Sequence, residues 1–214
     1  MSPRNIAKDQ ELRSRRQKEI LEAAMHVIAR RGLPATKIAD IATAAGLSVG
    51  NVYKYFTSKE HIFKSLVEMG QREYREFVEQ IRDLPLSPLM KLHRYTEDWL
   101  VYRNGWAITI ILQHARTSEA VAVEVKEAVS ARFLDNLKPM AELIADAQRE
   151  GTIVDGDPFE LALIYVSLME GLILHDIPGF QEISSVTADK VLRLLTIKNP
   201  DALLQFVKKG VKRL

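Results

Sequence analysis

Eleven residues, GLSVGNVYKYF at positions 46–56, hold Ser48, Asn51, Tyr53, Lys54 and Tyr55 between and beyond two glycines. Their hydroxyl, amide and ammonium groups are of the kinds that donate to phosphate oxygens and base edges. Gly46 suits a tight turn. Gly50, one turn into the helix that Ser48 is placed to cap, weakens that helix by roughly 1 kcal/mol relative to alanine but lets its backbone approach a ligand closely. Taken alone, such a cluster is more often a solvent-exposed turn than a DNA reader.

Other chemistry is sparse. The chain has no cysteine, which excludes disulfides and thiolate chemistry and removes the commonest ligand of structural zinc. It carries no phosphate-cradling glycine loop and no H-E-x-x-H, and its five histidines, at 26, 61, 93, 114 and 175, never fall at an i, i+4 metal spacing. His175 and Asp176 read more simply as a helix-end cap. No catalytic residue, metal or cofactor is expected, and an enzyme is not.

Charge separates the ends of the chain. Residues 1–64 hold 12 Lys/Arg against 6 Asp/Glu, whereas residues 65–214 hold 18 against 22. A basic third on an acidic body points to a polyanion partner at one end. The N-terminus lacks the apolar core of a signal peptide, and no charge-free run approaches the ~20 residues of a membrane span, so a cytoplasmic protein is expected, with no membrane partner.

The elements that must position these residues are all helical. Ile20, Ala24, Val27 and Ile28 form the apolar stripe of a first helix over 11–31, stopped by Gly32 and Pro34. Thr36 is placed to cap a second helix over 37–44, and Gly46 ends it. Ser48 caps a third from Val49 to about Tyr55, and Thr57 with Glu60 forms a capping box for a fourth over 58–82. Beyond the boundary LeuProLeuSerPro (84–88), helices are expected at 88–103, 105–116, 119–150, 158–176, 186–197 and 200–210, with Pro139 kinking or splitting the long one. The chain is expected to be all-α.

Two short helices joined by AlaGlyLeu, the second opening with Ser, match a helix-turn-helix. The wider register from Arg16 to Leu66, and above all TKIADIATAAGLSVGNVYKYFTSKEHIF (36–63), resembles the TetR/AcrR-type transcriptional regulator family. The resemblance implies a three-helix DNA-binding domain over 1–57, a linking fourth helix over 58–82, and a helical ligand-binding and dimerisation domain over 83–214. It also places Thr36, Ser48, Tyr53 and Lys59 at phosphates, with Val49, Gly50, Asn51 and Lys54 on the groove-facing side. Residue 49 is apolar where many relatives are polar or basic, which shifts base reading toward Asn51, Lys54 and contact with thymine methyls. The basic run RSRRQK (13–18) is either a phosphate- or minor-groove-contacting arm or a solubilising helix start.

In the C-terminal part, LALIYVSLMEGLILH (161–175) has Glu170 as its one formal charge, so this helix must be covered all round. The resemblance implies a homodimer through this helix and the one at 186–197, for which Leu161, Leu168, Leu172, Val191, Leu194 and Leu195 are the candidates. Tyr95, Trp99, Tyr102 and Trp106 recur at i, i+4, i+7 and i+11, one face if the helix runs on past Gly105. With Arg103, His114, Tyr165 and Met169, the stripe either lines a pocket for a small aromatic or amphipathic effector or is plain core. The function implied is an effector-released repressor on a palindromic operator, although the position of the operator relative to a promoter decides repression or activation.

Overall fold

The computed structural model describes residues 3–174, apart from 103 and 120, and residues 186–196, with side chains described from residue 8 onward. Among these residues there are nine helices: α1 (Pro3–Arg31), α2 (Ile38–Ala44), α3 (Val49–Tyr53), α4 (Lys59–Arg82), α5 (Pro88–Leu100), α6 (Gly105–Thr117), α7 (Val123–Arg149), α8 (Pro158–Ile173) and α9 (Ala188–Leu192). No strand occurs among them, only an isolated antiparallel bridge between Ile153 and Thr196. The helix expected at 200–210 and the turn at 177–180 lie outside the described residues.

The chain divides into two compact units, one comprising the residues up to Arg72 with Ala107–Arg132, the other Glu73–Trp106 with the residues from Phe133 on. In the first unit, Ile20, Ala24 and Ile28 of α1 are fully buried, as are Ile41 of α2, Val52 of α3, and Ile62 and Leu66 of α4. α1 stops where its sequence says it should: Gly32 has φ +76 and donates its N–H to the Ile28 carbonyl at 2.8 Å. Its start is earlier than expected, so the basic run 13–18 is helical.

Several boundaries differ from the sequence expectation for local reasons. α2 is not capped by Thr36. The Asp40 carboxylate instead accepts from the Lys37 N–H at 2.9 Å, and that bond, with Arg31 beside it, holds the Asp40 carboxyl below the usual range. α3 ends at Tyr53, and α4 opens through Ser58, whose Oγ accepts from the His61 N–H at 3.1 Å. The Thr57–Glu60 box gives way because Thr57 pairs with His61: its N–H donates to Nδ1 at 3.2 Å.

The second unit buries Leu92, Tyr95, Leu137, Met140, Ile144, Ala162, Tyr165 and Met169 at 0% exposure in one core. Ser87 caps α5 by accepting from the Met90 N–H, with Pro88 in the first turn, and Asp157 caps α8 by accepting from the Phe159 and Glu160 N–H groups. Pro139 sits inside α7 without splitting it. The Val154 N–H donates to the Leu195 carbonyl at 2.8 Å, pinning the α9 segment beside the α7–α8 connection.

Candidate nucleic-acid interface and aromatic cluster

The turn between α2 and α3 is set by Gly46 at φ +65, with the Leu47 N–H donating to the Ala42 carbonyl at 2.8 Å. Ser48 starts α3 in extended backbone, and its Oγ accepts from the Asn51 N–H at 3.3 Å. Five residues then determine a face. Val52 points inward and is fully buried, with Phe56 at 3% exposure beyond it. Ser48, Val49, Gly50, Tyr53 and Lys54 lie on the exposed side, and Asn51 is half-buried at its edge.

That face is bare where it must be for a backbone to meet a duplex. A Cβ built on Gly50 meets nothing within 4 Å. Val49 and Tyr53 remain 40% and 53% exposed, large side chains with little of this protein covering them. A shallow groove beside the C-terminal end of α3 is lined by Asp9, Leu12, Arg13, Arg16, Lys54 and Tyr55. There the Arg13 guanidinium lies 5.8 Å over the Tyr55 ring, a cation–π contact that holds α1 to the end of α3.

Two of the eight expected DNA-contacting residues are placed differently. Thr36 is 1% exposed and its hydroxyl donates to the Gly32 carbonyl at 2.8 Å, so its single proton is already committed. Lys59 donates to the carbonyls of Leu33, Pro34 and Thr36 at 2.9, 3.0 and 3.1 Å. An ammonium has three protons, and all three are used. Both residues therefore brace the turn that delivers α2, in place of the phosphate contacts expected of them.

The aromatic stripe is broken. α5 ends at Leu100 and α6 begins at Gly105, so Tyr102 is 41% exposed while Trp106 is buried at the head of the next helix. Arg103 lies outside the described residues, and His114 belongs to the first unit. What forms in the second unit is a cluster centred on Trp99, whose ring is 5.8 Å from Tyr95 at 12°, 6.1 Å from Phe77 at 28° and 5.9 Å from Tyr74 at 89°. Tyr165 joins through Tyr95 at 5.7 Å, and its hydroxyl donates to the Leu92 carbonyl at 3.2 Å and pairs with the Thr96 hydroxyl. Met169 is fully buried in the same core. Tyr74 escaped the sequence reading because it comes from α4, away from the stripe in sequence, and Phe77 of the same helix was read only as part of that helix's buried face.

Burial pushes the hydroxyls of Tyr74, Tyr95 and Tyr165 well above their ordinary range, so all three remain neutral. Glu170 adds to the effect at Tyr74 and Tyr95.

Residues 20–66 match the model of the bacterial regulatory proteins of the tetR family. That stretch is a DNA-binding region of the tetR type. YfiR, an uncharacterized HTH-type transcriptional regulator of Bacillus subtilis, is 41% identical over 73 residues, which is 34% of each chain. The transcriptional repressor KstR2 of Mycolicibacterium smegmatis is 40% identical over 81 residues, covering 36% of this chain and 38% of KstR2. These matches thus span little more than a third of either relative's length. Among solved structures, KstR2 of Mycobacterium tuberculosis superposes with a TM-score of 0.64 at 22% identity, over 86% of this chain and 96% of that one. AibR in complex with isovaleryl coenzyme A and operator DNA gives 0.58 at 20% identity, over 83% and 94%. At such identities the superpositions speak for the fold alone.

The residues expected at a dimer interface divide sharply. Val191 and Leu195 are 3% and 7% exposed inside the protomer core, and Leu161, Leu168 and Leu172 are half-buried against that core. Leu194 is 68% exposed. The uncovered apolar surface of α8 is instead Leu163 and Ile164, at 39% and 59% exposure, followed one and two turns on by exposed Ser167 and Gly171. No described helix is long and apolar enough to cross a membrane.

Proposed function

We propose that the protein is a homodimeric, cytoplasmic transcriptional repressor that binds a palindromic operator through α3 of each protomer. A small aromatic or amphipathic effector releases it. The observation that carries this is the face of α3: a capped five-residue helix with Ser48, Val49, Gly50, Tyr53 and Lys54 exposed together and none of the described residues within 4 Å of a Cβ at Gly50. On this account Ser48 and Tyr53 hold phosphates while Asn51 and Lys54 read base edges, and residues 1–57, 58–82 and 83–214 serve as DNA-binding domain, link, and effector and dimerisation domain.

The second copy is expected to cover Leu163, Ile164, Ser167, Gly171 and Leu194. Small residues at 167 and 171 admit a close helix crossing, and a Cβ on Gly171 would meet nothing within 4 Å among the described residues. A twofold pair of recognition helices reads half-sites ~34–36 Å apart, which makes the operator a palindrome. The effector acts through α4, which carries Lys59 at one end and Tyr74 and Phe77 near the other. AibR, solved with both an acyl-coenzyme A and operator DNA, supports the pairing of ligand and operator on one such protein.

Selection of bound duplexes from random DNA, followed by titration of the winner against salt, tests the proposal. A recovered palindrome with a steep salt dependence is expected. Binding without sequence enrichment would make the protein an architectural binder instead. Linkage further requires that operator and effector weaken each other's binding by the same free energy, so equal effector affinity with and without operator refutes the release mechanism.

A further inference from the structure

The side chains of residues 8–16 in α1 are all exposed, Leu12 at 55% among them, and the first buried residue of the helix is Ile20. A stretch this polar on every side is marginal as a helix by itself, because it has no apolar face to bury. Arg15 and Arg16 both reach Glu19, at 3.3 and 2.6 Å. Arg13, stacked on Tyr55, fastens the stretch beside the end of α3. Its exposed residues are thus held in one place, next to the face offered to DNA.

The groove formed there is lined by Asp9, Leu12, Arg13 and Arg16 of α1 with Lys54 and Tyr55, three cations against one carboxylate. Arg13 and Arg16 stand one turn apart on the same side of the helix, and Asp9 stands a turn before Arg13. Stacking engages the flat face of the Arg13 guanidinium and leaves the N–H groups on its rim to donate. Arg16 gives Nη1 to Glu19 and keeps further N–H groups. Two forked guanidinium groups along an open groove suit a phosphate. Lys54 borders both this groove and the exposed side of α3, so the two surfaces are continuous. A helix seated in a major groove has sugar–phosphate backbone along its flanks.

We propose that the exposed first part of α1 is a second DNA-contacting element, in which Arg13 and Arg16 seat a backbone phosphate bordering the groove that α3 enters. This rests on the DNA-binding reading above and deepens it. Tyr55 is a positioning residue that acts through Arg13.

The test measures the affinity of the full-length protein against salt, on the selected operator and on a duplex of random sequence. Arg13→Gln with Arg16→Gln, which keeps helix propensity close to the parent's, should lower the log–log slope by about 1–2 units on both duplexes. Base preferences and melting temperature should stay as they were. Arg15→Gln removes the same charge from a side chain outside the groove and should leave the slope unchanged. Tyr55→Leu should lower the slope in the parent and have no further effect on it in the Arg13→Gln background.

An unchanged slope in the double variant, or an equal fall with Arg15→Gln, would overturn the contact while leaving α3 as the DNA-binding element. Loss of an A·T preference beside the half-sites would make the contact a minor-groove one and overturn the phosphate seat. Calorimetry with inorganic phosphate alone should show no saturation at millimolar concentration. Saturable binding that the double variant abolishes would make the groove a site for a free anion instead. A parent that binds neither duplex would remove the DNA-binding reading, and this contact with it.

Discussion

Gly50→Ala should make the free protein more stable and the DNA complex weaker. In the structure the added methyl meets nothing within 4 Å, and Gly50 does not lie in the left-handed region, so neither clash nor backbone strain opposes it. Alanine is favoured over glycine by about 1 kcal/mol inside a helix, and at the second position of a five-residue helix about half of that is a fair allowance. For a chain of this size that corresponds to a rise of roughly 1–2 °C in melting temperature. On DNA the same methyl stands where the backbone approaches the groove. Holding α3 off its site enough to lose one base contact costs about 1–3 kcal/mol, a tenfold or greater loss of affinity. Thermal melts and fluorescence-anisotropy titrations on the selected operator read the two effects separately. A variant that is stabler yet binds worse cannot be explained by unfolding. Unchanged or improved affinity would refute the placement of the Gly50 face against DNA.

Lys59→Met should destabilise the first unit by about 2–3 kcal/mol, since it strips a charge-assisted donor from the carbonyls of Leu33, Pro34 and Thr36. It should also leave the salt slope of operator binding unchanged, whereas loss of a phosphate contact would lower that slope by about one unit. Leu163→Asp with Ile164→Asp should yield a folded monomer by analytical ultracentrifugation, while Val191→Asp, aimed at a residue of the protomer's own core, should unfold the second unit. A double variant that stayed dimeric would move the interface elsewhere.

Helix punctuation was legible because it is written in single residues with fixed local consequences. Gly32, Ser48, Ser87 with Pro88, and Asp157 each act on a backbone group within four positions. Bonds that close at longer range leave no such mark. Lys59 reaches carbonyls 23 to 26 residues upstream, so the same lysine that resembles a phosphate ligand in sequence is a brace in the fold. The aromatic stripe failed for a related reason: its spacing presumed one unbroken helix, and α5 ends at Leu100 before α6 begins at Gly105.

α8 marks the limit of periodicity itself. Its sequence is apolar nearly all round, so no pattern tells which side faces the protomer's core. Only packing decides, by burying Ala162, Tyr165, Val166, Met169 and Ile173 and leaving Leu163 and Ile164 uncovered. Tyr95 and Tyr165 sharpen the point. They are the same residue type, both 0% exposed and 5.7 Å apart, yet the Tyr165 hydroxyl meets two partners on α5 whereas the Tyr95 hydroxyl meets Tyr74 of α4. Which partner each hydroxyl finds is set by which group the helix crossing brings within reach.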